Sequence, residues 1–158
     1  MNLFSFYNQA EQSRLPIGYV ISSTIKPDPA ELNELLVSCG EPRRSLDKLI
    51  RALDNSLWYL TVTNDAGKLI GFVRATSDEA LNSNLWDLVT LPTLSNSALV
   101  LEVLAQEALT LLKKDFPSCS ISLAASPESL DSLRSLGFLV DPDGIRAMGL
   151  TLNNPIDL

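Results

Sequence analysis

The sequence predicts a mixed α/β (α+β) fold, a central sheet of six to seven strands flanked by about four helices. Three observations lead there. Short β-rich runs alternate with segments of helical periodicity along nearly the whole chain. With 158 residues, 46% of them apolar and 20% charged, the chain can bury one sizeable core. Finally, Leu85 to Lys114 reads as a buried strand, a short turn and a long helix. That order turns unpaired backbone N–H groups and the positive end of a helix dipole toward an anion.

Residues 1–17 read as an N-terminal arm, 18–152 as the folded domain and 153–158 as a C-terminal tail. Gly18 to Ser23 (GYVISS) opens the domain as a strand. Asp28-Pro29-Ala30-Glu31 then carries N-cap, N1 proline and capping-box glutamate in order. Leu32, Leu35, Leu36 and Cys39 line one face of the helix that follows, and Gly40 ends it. Ser45 opens a second, shorter helix with Leu46, Leu49, Ile50 and Leu53 on its apolar face and Asp54-Asn55 at its exit. Leu57 to Thr63 and Leu69 to Thr76 are strands joined by the hairpin chemistry of Asn64-Asp65-Ala66-Gly67. A loop from Ser77 to Asn84 leads into the strand Leu85 to Leu91, which Pro92 stops.

In the long helix Glu102, Gln106, Thr110 and Lys113 form the single polar stripe, so the helix is packed on most sides. Lys113 and Lys114 complement its C-terminal dipole, and Pro117 stops it. Cys119 to Ala125 is another buried strand. Ser126-Pro127-Glu128 starts a last helix with Leu130, Leu133 and Leu136 inward and Gly137 and Phe138 at its end. Asp141-Pro142-Asp143-Gly144 turns the chain into a final strand, Ile145 to Leu152, and the element order is β-α-α-β-β-β-α-β-α-β-β.

Composition narrows the chemistry. The 12 basic and 19 acidic residues leave a net charge of −7, which argues against a nucleic-acid partner and mildly favours cationic ones, or simply aids solubility. The chain has no histidine, which removes the commonest general base, the usual zinc ligand and any Ser-His or Cys-His pair. Acid and base roles then fall to Asp, Glu, Tyr, Lys or water, and no metal is expected. Cys39 and Cys119 lack metal-ligand spacing and read as reduced, buried thiols of a cytoplasmic protein. No apolar run nears the ~20 residues that span a bilayer, and MNLFSFYNQAEQSR lacks a basic n-region followed by an apolar core, so no membrane partner is expected.

The element order, the Leu85 to Leu112 segment and PESLDSLRSLGF at Pro127 to Phe138 resemble the GNAT superfamily of acyl-CoA-dependent N-acetyltransferases, over roughly residues 18 to 152. The specific parts are LIGFVRATSD, the strand ending at Pro92, and Leu136-Gly137-Phe138, which looks like the end of the family's FYxxLGF. The resemblance implies a sheet splayed open in a V, with acetyl-CoA lying in the opening and its pantetheine arm beside Leu88, Val89 and Thr90. It implies a pyrophosphate loop, R/Q-x-x-G-x-G/A, which falls on Ser95, Asn96, Ser97, Ala98, Leu99 and Val100.

Every defining position of that loop departs from the family's pattern. Ser95 replaces the long polar residue, Ala98 the first glycine, and Val100 the closing glycine or alanine. A β-branched Val100 on the first helical turn is expected to stand between the backbone N–H groups and a diphosphate. The helix dipole contributes only ~0.3 to 1 kcal/mol, against ~1.5 to 3 kcal/mol for each direct hydrogen bond lost, so acetyl-CoA binding is expected to be weakened. The family's general-acid tyrosine falls on Leu133, which carries no proton.

For the base, the resemblance points to an acidic residue near the central strands: Asp87, or Asp78 or Glu79 in the preceding loop. Asp78 fits a turn or cap equally well. A lone Asp87 in so apolar a run sits in a wet cleft or is hydrogen-bonded, and alternation puts it on the face opposite Trp86 and Leu88. Trp58, Phe72 and Trp86 read as core or groove wall, and Tyr59 as core or sheet surface. Arg43 and Arg44 read as a solvated turn, or as groups reaching a phosphate or an acidic partner. Two functions stay open: a binding or regulatory module that is catalytically weak or inert, and an active N-acetyltransferase moving an acetyl group to a primary amine. The partner is then a small-molecule amine or a protein, and monomer and homodimer both fit.

Overall fold

The computed structural model describes residues 14–150 and 152, so most of the expected arm and all of the 153–158 tail lie outside the described residues. The sheet is assembled from consecutive strands. β1 (Val20–Ser22), β2 (Trp58–Thr63), β3 (Leu69–Ser77) and β4 (Asn82–Thr90) pair antiparallel, and β5 (Ser120–Leu123) joins β4 in parallel. This is the expected mixed α/β architecture, with five strands in the order β1-β2-β3-β4-β5 among the described residues in place of six to seven.

The missing member is the final strand. The Asp141 to Gly144 turn forms, but Ile145 to Leu150 leaves it without a ladder partner among the described residues, and Met148 is 98% exposed. An alternating sequence supplies a strand's side-chain pattern but not its backbone hydrogen bonds, which need a neighbour.

α1 (Pro29–Ser38) and α2 (Leu46–Asp54) cover one face. Asp28 caps α1 by accepting the Glu31 N–H at 2.9 Å, Pro29 occupies the first turn, and Gly40, at φ 91, carries the chain away beyond Cys39. The capping box does not close. Glu31 Oε1 instead accepts the Leu69 N–H at 2.8 Å, which ties α1 to the start of β3. On this face Leu32, Leu35, Leu36, Leu49 and Leu53 pack on Leu69 and Phe72.

α3 (Ser97–Asp115) covers the other face, with α4 (Leu130–Ser135) packed against it. Val100, Leu104, Ala108 and Leu112 meet Leu60, Val62, Ile70, Val73, Ala75 and Leu85. Burying each of the larger of these side chains is worth about 1.5–3 kcal/mol. α3 also approaches β3 closely, because Gly71 carries no side chain: a Cβ there would lie 2.9 Å from Leu104 Cδ1 and 3.2 Å from Val100 Cγ1. Among the described residues no helix is long and apolar enough to cross a membrane.

β4 begins at Asn82, three residues before the expected Leu85, because parallel pairing of Asn82 to Leu85 with Ser120 to Leu123 recruits the end of what reads locally as a loop. The turn left between β3 and β4 is organised by Asp78, whose carboxylate accepts the backbone N–H groups of Ala80, Leu81 and Asn82. Those bonds, led by the one from Asn82, hold its carboxyl down at about 2. A depressed carboxylate contributes stability above its unfolded value near 3.8 and loses that contribution as pH falls toward 2. The gap in urea midpoint between the wild type and Asp78→Ala is therefore expected to close over that window. A gap that is constant from pH 6 to about 2 would refute the assignment.

Candidate functional site

β4 is paired with β3 along most of its length, but with β5 only through Leu85. Beyond that point β5 ends at Leu123, and the β4 edge from Trp86 to Thr90 faces an opening in the sheet. Leu91 donates its N–H to Ile70 O of β3 at 2.8 Å. Hydrogen-bonding direction alternates along a strand, so Leu88 and Thr90 turn their N–H groups away from β3 toward the open edge. The family resemblance implies an opening beside Leu88, Val89 and Thr90, and it is at these residues that the β4 edge is left unpaired.

The N-terminus of α3 closes one end of the opening. Thr90 Oγ1 donates to Ser97 O at 3.2 Å, fastening the end of β4 to the start of the helix. The first intrahelical bond runs from Val100 N–H to Asn96 O at 3.1 Å, and Ser97 N–H turns back to Leu94 O. The N–H groups of Ala98 and Leu99 have no partner among the described residues. Asn96 stands at the N-cap without capping, its Oδ1 buried and unpartnered among the described residues.

One expectation is overturned here. Val100 does not stand over the loop: its side chain is fully buried and points at Gly71 and Leu104, away from the exposed Ala98. Four residues separate Val100 from Leu104, which places both on the sheet-facing stripe of α3.

β4 carries a β-bulge beside the opening. Phe72 pairs with Val89 and Arg74 with Trp86, so Asp87 and Leu88 together oppose Val73. Asp87 adopts φ 54 to make the bulge. This breaks the alternation that assigned Asp87 to the face opposite Trp86. Arg74, directly across from Trp86, donates Nε–H to Asp87 Oδ2 at 2.6 Å, and its guanidinium lies 5.9 Å from the Trp86 ring centroid. Arg44 donates to Asp87 Oδ1 at 3.0 Å and to Glu41 at 3.2 Å. Asp87, with only 10% of its side chain exposed, is therefore a bridged carboxylate with both oxygens occupied.

Asp78 is not brought to this place. From Asn82 to Leu88 the strand rises about 20 Å, so the β3–β4 turn lies at the far end of β4. Leu133, at the position of the family tyrosine, is buried. Trp86 is 43% exposed beside the bulge and donates Nε1–H to Thr76 Oγ1, while Tyr59 stacks on Phe72 at 6.4 Å. Arg43 pairs with Glu34 and takes no part. Cys39 donates Sγ–H to Thr90 O at 3.3 Å, and burial pushes its thiol up, so it stays protonated. Among the described residues no His/Cys/Asp/Glu group could hold a metal ion.

Sequence reasoning missed Arg74, Arg44 as a partner of Asp87, and Asn33. Asn33 is a lone amide on the apolar stripe of α1, buried at 2%. A polar residue at such a position signals a specific hydrogen-bonding task.

No protein-family model matches the chain. It is 34% identical over 131 residues to the uncharacterized N-acetyltransferase ycf52 of Porphyra purpurea, covering 81% of this chain and 74% of that one. It is 34% identical to the histone acetyltransferase TAP1 of Glycine max, over 82% of this chain and 59% of the relative. With the chloroplastic serotonin N-acetyltransferase 2 of Oryza sativa the figures are 35%, 77% and 61%. Against several curated relatives the chain thus spans only 59% to 66% of their length.

Among solved structures, a Staphylococcus aureus protein of unknown function described as a probable acetyltransferase superposes with a TM-score of 0.76 at 18% identity, over 85% of this chain and 99% of that one. The GNAT-family YhbS of Escherichia coli, in complex with CoA, superposes at 0.63 and 18%, over 82% and 73%.

Proposed function

The chain belongs to the GNAT superfamily of N-acetyltransferases, and we propose that it is an acyl-CoA-binding domain with a weakened diphosphate contact that is catalytically slow or inert and serves as a binding or regulatory module. The observation that carries this reading is the unpaired β4 edge from Trp86 to Thr90, opening toward the free N–H groups of Ala98 and Leu99. The residues present fit acyl-CoA: backbone donors are available, and the Val100 side chain is turned into the core. In this proposal Leu88 and Thr90 hold the pantetheine arm by their backbone, the Val89 backbone being turned to β3, and Ser95, Asn96, Ser97, Ala98 and Leu99 hold the diphosphate. When bound, acyl-CoA supplies an acyl group activated as a thioester.

Two features favour slow chemistry. Buried Leu133 offers no proton to a leaving thiolate, and both oxygens of the Asp87 carboxylate are taken by guanidinium groups, so neither is free to meet an amine. Active transfer to a primary amine is the second reading, favoured by relatives named for histone and serotonin acetylation, whose acceptors share that group. The acceptor or partner is a small-molecule amine or a protein, with neither nucleic acid nor membrane involved at a net charge of −7. Monomer and homodimer both fit, and the setting is cytoplasmic in this proposal, with a plastid as the alternative that the chloroplastic relatives raise.

Calorimetric titration with acetyl-CoA is expected to give a Kd near ~100 μM, and Ala98→Gly to tighten it by about threefold as the exposed methyl is removed. No saturable binding up to several times ~100 μM would overturn the reading, and nanomolar binding would remove its weakened part. Thiol release above about 1 per second with serotonin or a lysine peptide would favour the second reading.

A further inference from the structure

Asp87 sits at φ 54, where a side chain other than that of glycine is unfavourable unless something holds it. The peptide that joins it to Leu88 carries the Leu88 N–H, one of the donors turned toward the open edge. The backbone angles of Asp87 therefore aim that donor. What holds Asp87 is a pair of guanidinium groups, Arg74 at 2.6 Å and Arg44 at 3.0 Å.

Arg74 is confined by its place over Trp86. Arg44 is confined through its backbone. Asn33 donates Nδ2–H to Arg44 O at 2.7 Å and accepts the Arg44 N–H on Oδ1 at 3.1 Å, pinning the α1–α2 segment at that residue. A continuous set of bonds thus runs from the interior of α1, through Arg44 and Asp87, to the bulge.

We propose that Arg44 and Arg74 are positioning residues that act through Asp87 to aim the Leu88 N–H into the opening of the sheet, so that the α1–α2 segment governs how an acyl carbonyl is held there. The identity of the ligand rests on the reading given under Proposed function, whereas the aiming of the N–H is a property of the free protein.

The test compares Asp87→Gly with Asp87→Ala in the full chain, together with Arg44→Gln and Asn33→Ala, which leave residue 87 itself unchanged. Glycine takes the left-handed conformation without the lock, and alanine does not. The Leu88 amide resonance is expected to stay near its wild-type position in Asp87→Gly and to move in Asp87→Ala. It is expected to move in the same direction in Arg44→Gln and Asn33→Ala.

Acetyl-CoA affinity is expected to fall about tenfold in Asp87→Ala and less than about threefold in Asp87→Gly. Equal losses in the glycine and alanine variants, or a Leu88 resonance unmoved by Arg44→Gln, would overturn the proposal. If the wild type binds no acetyl-CoA, the ligand reading fails, and the Leu88 resonance alone decides the lock.

Discussion

Val100→Gly is expected to destabilise the protein by about 3 kcal/mol and to leave acetyl-CoA binding unimproved, although it restores the family's glycine. The loss combines the transfer energy of a fully buried valine, the gap left against β3 and the poorer helix propensity of glycine. Binding gains nothing because the side chain faces Gly71 and Leu104, not the loop. Gly71→Ala probes the same contact from the other side. Its new Cβ would sit 2.9 Å from Leu104 Cδ1 and 3.2 Å from Val100 Cγ1, and overpacking of this kind costs about 1–3 kcal/mol.

Combined with Val100→Ala, part of that cost should vanish, since the alanine methyl takes space the valine vacates. A double-mutant cycle by urea denaturation is expected to give a coupling of about 1 kcal/mol in the compensating direction. Strict additivity would mean that the helix–strand approach is not set by this pair.

Arg74→Met is expected to cost about 3 kcal/mol, because it leaves Asp87 nearly buried beside the bulge with one guanidinium removed. Arg44→Met should cost less, about 1 kcal/mol, since Arg44 is 31% exposed and shared with Glu41. The diagnostic is the orphaned charge. Adding Asp87→Asn to Arg74→Met removes that charge while keeping a residue that tolerates the left-handed conformation, so the double variant should be more stable than Arg74→Met alone. Denaturant midpoints at neutral pH measure this. A double variant less stable than the single one would show that the carboxylate is well solvated and not held by the pair.

Much of the fold is legible in the chain because it is local. Asp28-Pro29, Ser45 and Gly40 mark helix ends by which backbone groups they satisfy or release. The β2–β3 hairpin follows from Asn64 to Gly67, and α3 is recognisable from its narrow polar stripe. The unpaired β4 edge beside Leu88 to Thr90 is legible only through family resemblance, since nothing within Leu85 to Leu91 states that β5 stops short. The last strand is the opposite case. Ile145 to Leu152 has a strand's alternation, yet its described residues find no edge to pair with.

At the site itself, the residue types are in the sequence and their assignments are not. That Asp87 needs partners follows from one carboxylate in an apolar run. That the partners are Arg74 and Arg44, 13 and 43 residues away, follows only from the β3–β4 register and the Asn33 clamp. Alternation put Asp87 on the wrong face because a bulge inserts one extra residue, and bulges are chosen by the pairing of two strands. Val100 was misplaced for a related reason. Helical periodicity says which residues share a stripe, but which stripe meets the sheet depends on Gly71 of another element. Capping, turn chemistry and periodicity act over a few residues and are written in the chain. The aim of a backbone N–H and the partners of a buried charge are set by surfaces meeting across the fold.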